Sequence, residues 1–228
     1  MSNFLSSSIG KKFFMSITGF FLMSFLLVHL GINLLLIFDD TGALFNQGAH
    51  FMVTNPIIKV VEPVLALGFI LHMVFASVIT LNNMAARPVS YNRVNQKQSS
   101  TWASRNMFVL GSLIILFLAI HVINFYWKIK VSHEIGSVMV NGEEMHNTYA
   151  LVAGLFTDGS LGLIYSLIYI AGATFLGIHL THGFWSAFQS VGINNDLWRK
   201  RLEVVGKVFA IIIAVGFAII PLYFIIKF

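Results

Sequence analysis

Five stretches of this sequence stay apolar for long enough to cross a lipid bilayer as helices, and nothing else constrains the fold as tightly. A hydrocarbon core about 30 Å thick takes about 20 mostly apolar helical residues. The stretches lie at about 13–38, 56–82, 105–127, 161–190 and 202–226. In lipid every backbone N–H and C=O must be satisfied within the chain, which leaves helices or a closed barrel. These stretches are too long and too evenly apolar for barrel strands. The expected fold is an all-α integral membrane protein, a single transmembrane domain over residues 1–228 built as a five-helix bundle. Composition agrees. Only 10% of residues are charged and 57% are hydrophobic, whereas soluble domains carry about 25% charged residues. The first stretch follows Lys11 and Lys12 as a secretion signal would. Its 26 residues exceed the roughly 7–15 of a signal's apolar region, so it reads as a retained span.

The connections are polar, and their charges set the orientation. The N-terminus, the second connection and the fourth connection must share a side. With helix ends they carry Lys11, Lys12, Arg87, Arg93, Lys97, Arg105, Arg199, Lys200, Arg201 and Lys207. The other side has Lys59, Lys128, Lys130 and Lys227. Positive charge accumulates on the cytoplasmic side, so the N-terminus is expected in the cytoplasm. Pro56 suits the first turn of the second span, and Pro221 is expected to bend the last turns of the fifth. Asn141-Gly142 favours a tight hairpin turn in the third connection. The chain has no cysteine. That excludes disulfides and thiolate-held iron–sulfur clusters within it.

Eight histidines are present. His50, His133 and His146 fall in polar outer connections and read as solvated side chains. The other five lie inside spans: His29, His72, His121, His179 and His182. An ionisable group at membrane depth is expensive and usually functional. Four different spans carrying one is hard to assign to structure alone. His29 follows Lys12 by 17 residues, His72 follows Pro56 by 16, His121 follows Arg105 by 16 and His179 follows Leu161 by 18. At about 1.5 Å per residue, each sits roughly 24–27 Å from where its helix enters. Successive helices enter from opposite sides. His29 and His121 therefore share an outer level, and His72 and His179 share a level nearer the cytoplasm.

Two facing neutral imidazoles can hold one haem iron from both sides, which favours electron transfer over oxygen chemistry. Two such pairs imply two haems. Without cysteine they would be non-covalent, b-type haems. Gly31, Gly68, Ala119, Gly177 and Gly183 leave room for a flat macrocycle, although small residues also serve helix packing. His182 lies one turn beyond His179 and faces a similar side. It is the alternative ligand, or a contact for a haem propionate. Propionates need donors, and Ser16, Thr18, Arg87 and Arg105 are candidates at the cytoplasmic ends. The two arginines serve equally well as plain positive anchors.

These residues resemble the cytochrome b membrane anchor of the succinate:quinone oxidoreductases, in the single-anchor, five-helix, two-haem class. That class covers succinate dehydrogenases and quinol:fumarate reductases. Ser16-Ile17-Thr18-Gly19, with His29 ten residues after the glycine, is similar to the family's first span. His72 and His121 fall where the family has ligands. His179-Leu180-Thr181-His182-Gly183-Phe184-Trp185-Ser186 resembles the fourth-span pattern, with Gly192 closing the segment. Arg87-Pro88-Val89-Ser90-Tyr91 is similar to the second cytoplasmic connection. The likeness covers nearly the whole chain. It implies that His72 and His179 hold a proximal haem and that His29 and His121 hold a distal one. It implies a flavoprotein partner and an iron–sulfur partner on the cytoplasmic face, quinone as substrate with menaquinone the kind expected, and a bacterial cytoplasmic membrane. No nucleic acid is implied, and a dimer of heterotrimers is compatible. One departure stands out: Ser190 occupies a position that is basic in some members, so proximal propionate binding must differ.

Some members carry a glutamate near an outer quinone site. Glu62 begins the second span near the outer surface, although it does not align with that residue. It is the candidate catalytic acceptor of quinol protons; otherwise it is an interfacial carboxylate paired with Lys59. Two other readings compete with the redox subunit. One is a transporter or metal-conducting channel with a histidine relay, the other a haem-free anchor. Transporters tend toward internal repeats and broken helices, and the sequence carries neither signal.

Overall fold

A computed structural model describes residues 7–86, 100–193 and 195–228. Arg87, Arg93, Lys97 and the 87–91 motif lie outside the described residues. Five helices are long and apolar enough to cross a membrane. Three of their starts follow polar caps rather than the apolar run itself. α1 (Ser8–Phe38) begins five residues before its apolar stretch, because the Ser7 hydroxyl accepts from Gly10 N at 3.0 Å. α3 (Pro56–Ala85) is capped by Asn55, which accepts from Ile57 N at 2.9 Å, with Pro56 in its first turn. α9 (Asp196–Lys227) begins at Asn195, which accepts from Trp198 N at 2.9 Å, six residues before the expected start. It runs as one helix through Pro221. Such caps satisfy orphaned N–H groups at each helix start.

The third span departs from expectation. Arg105 closes a separate short helix, α4 (Trp102–Arg105), whose cap is Thr101. α5 then covers Met107–His121 and passes into a π-helical stretch, Val122–Trp127, before a last α turn, α6 (Lys128–Lys130). The fourth span is α8 (Gly159–Ser190).

Four of the long helices form a ring. α1 packs on α3 and α8, and α5 packs on α8 and lightly on α3. The diagonal pairs, α1 with α5 and α3 with α8, are not among the main helix–helix contacts of the described residues. α9 lies outside the ring against α8 and α1. Its contact with α8 is the most extensive among the described residues. A Cβ on Gly177 would sit 2.6 Å from Ala214 Cβ and 3.3 Å from the Ala210 carbonyl oxygen. Small residues four apart on both helices let the backbones approach, as in membrane helix pairs. Met23, Leu30, Leu180, Ala187, Ala210 and Ile213 fill the seam. Elsewhere large apolar side chains face outward: Val60 is 67% exposed and Leu67 55%. An apolar exterior of this extent is what lipid, not water, would stabilise.

The two connections expected to be polar loops at the far end instead hold structure. α2 (Ala43–Thr54) and α7 (Thr148–Thr157) lie over that end with a hairpin, β1 (Ser137–Val140) paired to β2 (Glu143–His146). Its two-residue turn is Asn141-Gly142, with φ of +54° and +84°. Positive φ at both central positions matches the type I′ turn read from the sequence. Asn46 Oδ1 accepts from Tyr149 N at 2.8 Å and ties α2 to α7. Asp40 accepts from Lys227 Nζ and from Tyr223 Oη, tying the end of α1 to the end of α9. The Lys227 ammonium, and after it the Tyr223 hydroxyl, hold the Asp40 carboxyl below its ordinary value. Leu36, Phe45, Phe156, Tyr169 and Phe224 form the core beneath this cap.

Candidate functional site

His29, His72, His121, His179 and His182 all lie on the ring helices, half-buried. The ring's diagonals pair four of them. His29 on α1 and His121 on α5 meet across one diagonal, with ring centroids 5.7 Å apart and planes at 88°. Their helices share no major backbone contact, so the side chains carry most of this approach. Phe25 stacks on His29 at 5.1 Å, and Phe217 lies at 5.6 Å. Phe117, Phe125 and Tyr169 surround His121 at 5.2–5.9 Å.

His72 on α3 and His179 on α8 belong to the other diagonal. Gly19 of α1 passes beside His72, its hypothetical Cβ 3.6 Å from Cε1. Gly111 of α5 passes beside His179, its hypothetical Cβ 4.0 Å from Cε1. These two contacts fix the spacing between levels. Gly19 precedes His29 by ten residues, and Gly111 precedes His121 by ten. Ten helical residues rise about 15 Å. Both measures put the His72/His179 level about 15 Å nearer the N-terminal end of α1 than the His29/His121 level.

Hydrogen bonding assigns a tautomer to His72. Thr18 Oγ1 lies 3.2 Å from His72 Nδ1 and also within 2.9 Å of the Phe14 carbonyl oxygen. With the single hydroxyl proton donated to that carbonyl, Thr18 accepts from His72 Nδ1–H, the tautomer that leaves the Nε2 lone pair free. That is the arrangement a metal-ligating histidine has. Thr18, a propionate candidate from sequence, thus acts on the ring. At His29 the neighbour is Asn33 Nδ2, 3.4 Å from Nδ1; its shorter bond, 2.8 Å, goes to the His29 carbonyl. The longer contact is too weak to set the tautomer.

His121, His179 and His182 each bury Nδ1 without a hydrogen-bond partner. Orphaned buried polar atoms are rare and call for an explanation. Iron bound between two imidazoles, at metal–nitrogen bonds of roughly 2 Å, separates ring centres by about 6 Å. The 5.7 Å between His29 and His121 fits. The donor set fits as well: neutral nitrogens in an aromatic, water-poor interior suit a flat organic metal complex. Among the described residues no three metal-ligating side chains converge. A porphyrin supplies four of its iron's ligands itself, so two per site are what it needs.

His182 lies one turn beyond His179 on α8 and has an aromatic neighbour of its own. Its ring meets Trp185 edge-on at 5.1 Å, and Arg199 lies over the same Trp185 at 5.2 Å. Ser16 is buried, and its hydroxyl donates to the Lys12 carbonyl at 3.0 Å. Arg105 is exposed and donates to the Ser100 carbonyl at 2.7 Å. Glu62 is not paired with Lys59. It accepts from Tyr126 Oη at 2.8 Å and from Lys130 Nζ at 3.1 Å. The π-helical stretch and α6 carry those two donors to it, a contact between residues more than 60 apart that spacing along one helix does not reveal. Sequence reasoning also missed Asn124, which is buried and donates to Tyr169 Oη at 3.1 Å.

The chain matches no known family model, and no curated protein or solved structure matches it.

Proposed function

We propose that this chain is the dihaem cytochrome b anchor of a succinate:quinone oxidoreductase, inserted in a bacterial cytoplasmic membrane with its N-terminus inside. The observation that carries the reading is the His29–His121 pair, whose ring centroids lie 5.7 Å apart across helices that share no major backbone contact. The second diagonal, about 15 Å away along the bundle, supports a second site of the same kind.

His29 and His121 would hold one haem, and His72 and His179 the other; His182 would stay off the iron. Haem, when bound, supplies reversible one-electron transfer. The chain's own contribution is position and dryness. Thr18 holds His72 with Nε2 facing inward, and the phenylalanines beside His29 and His121 keep water from that level. Glu62, at the capped end, would accept a quinol proton at a carboxylate oxygen while Tyr126 and Lys130 hold it in place. Flavoprotein and iron–sulfur partners would dock at the basic N-terminal end, and dicarboxylate chemistry would be theirs.

Copurification tests this reading. The anchor purified from its native membrane should bring a flavoprotein and an iron–sulfur protein with it, and the complex should reduce or oxidise quinone at the expense of fumarate or succinate. A protein that purifies alone and conducts a metal ion would support the transporter instead.

Two variants probe individual roles. Thr18→Val removes the acceptor for His72 Nδ1. Losing such an orienting partner typically weakens metal binding 10–100-fold, so the proximal haem should be depleted on dilution while the distal one stays. Glu62→Gln keeps the shape and removes the charge. Quinol oxidation should slow at least tenfold, with both haems retained; an unchanged rate would exclude Glu62 from proton transfer.

A further inference from the structure

We propose that Asn124 and Tyr169 are a positioning pair that fixes the rotation of the His121 ring relative to His29. The proposal rests on the dihaem reading above and names residues beyond the ligands.

The π-helical stretch begins at Val122, directly after His121. π turns hold one more residue than α turns, are intrinsically less stable and tend to occur at functional sites. This one carries a polar residue into the core. Asn124 is 7% exposed and Tyr169 9%. A buried amide among apolar groups costs free energy unless it is bonded. Here the bond runs from Asn124 Nδ2 to Tyr169 Oη, from the π stretch to α8. Leucine in place of asparagine would pack the π stretch on α8 as well, so packing alone does not account for a directional polar pair.

The bond pins one wall of the His121 cage. Tyr169 meets His121 at 5.9 Å and 52°, and it is itself held edge-on by Phe117 at 5.1 Å and Phe156 at 5.2 Å. Phe117 and Phe125 form the other walls. Side chains around a metal-bound imidazole set its orientation. In this cage the orientation is near perpendicular to His29, at 88°. The angle between axial imidazole planes governs the magnetic anisotropy of low-spin ferric haem, so it can be read by electron paramagnetic resonance. A purely structural bond would change stability and leave that signature alone.

The test uses the full-length protein purified with its haems. Tyr169→Phe keeps the ring and deletes the hydroxyl; Asn124→Leu deletes the amide. Both should retain two haems per chain. In each, the distal haem's highest g-value should fall and its signal broaden, while the proximal signal stays fixed. The double variant should move the signal no further than the larger single change, since both delete one bond. Should either variant fail to accumulate, the other decides. An unmoved distal signal in a variant that holds its haems overturns the positioning role and leaves the dihaem reading standing. Wild-type protein without haem overturns both.

Discussion

Replacing His29 or His121 with alanine is expected to remove one and the same haem, leaving a single b-type centre with the midpoint potential of the survivor. Replacing His72 or His179 should remove the other. The reason is geometric. Each diagonal of the ring has two imidazoles and no major backbone contact, and no third ligand converges there among the described residues. Loss of either ring leaves one nitrogen to hold a large hydrophobic complex at membrane depth. Redox titration of the four variants separates the outcomes. The expected pattern is two classes of two, each class missing one of two waves. Four variants that lose a single common haem would contradict pairing on crossing diagonals. His182→Ala should keep both waves, because that ring packs edge-on against Trp185.

Gly177→Leu is expected to have the largest effect on assembly. Even a methyl group there would lie 2.6 Å from Ala214 Cβ and 3.3 Å from a carbonyl oxygen, neither of which is the end of a flexible side chain. The helices must part to admit it. Overpacking a tight seam costs about 1–3 kcal/mol per small enlargement, so Gly177→Ala should lower the unfolding midpoint in detergent measurably. Gly177→Leu should prevent stable accumulation. Gly154→Ala is the control. A Cβ there meets nothing within 4 Å, and the midpoint should hold. Equal behaviour of the two alanine variants would mean that the α8–α9 seam is looser than described.

Much of this organisation was legible in the sequence, for a physical reason. Lipid leaves a chain few ways to satisfy its backbone, so apolar length alone locates five helices, all of which are present. Depth along a helix is a matter of counting, and counting groups His29 with His121 and His72 with His179. The boundaries were less legible. Ser7 and Asn195 start α1 and α9 well outside the apolar runs, because a cap, not hydropathy, decides where the first N–H groups find acceptors. The end of the third span was not legible at all. A π turn adds one residue to a helical turn and leaves no mark on apolar periodicity. With it went the Asn124–Tyr169 bond and the true partners of Glu62. The cap was half legible. Asn141-Gly142 announced its hairpin, but α2 and α7 are short helices whose apolar residues join one cluster with Leu36 and Phe224, and the Asn46–Tyr149 bond that ties them spans 103 residues.

The central claim is that imidazoles facing across two open diagonals each hold one haem, and quantifying haem against protein in the purified chain tests it most directly. A pyridine haemochrome assay with reduced-minus-oxidised spectra should give two b-type haems per chain. Protein that is folded, monodisperse and free of haem, even when expressed with ample haem supply, would contradict the account.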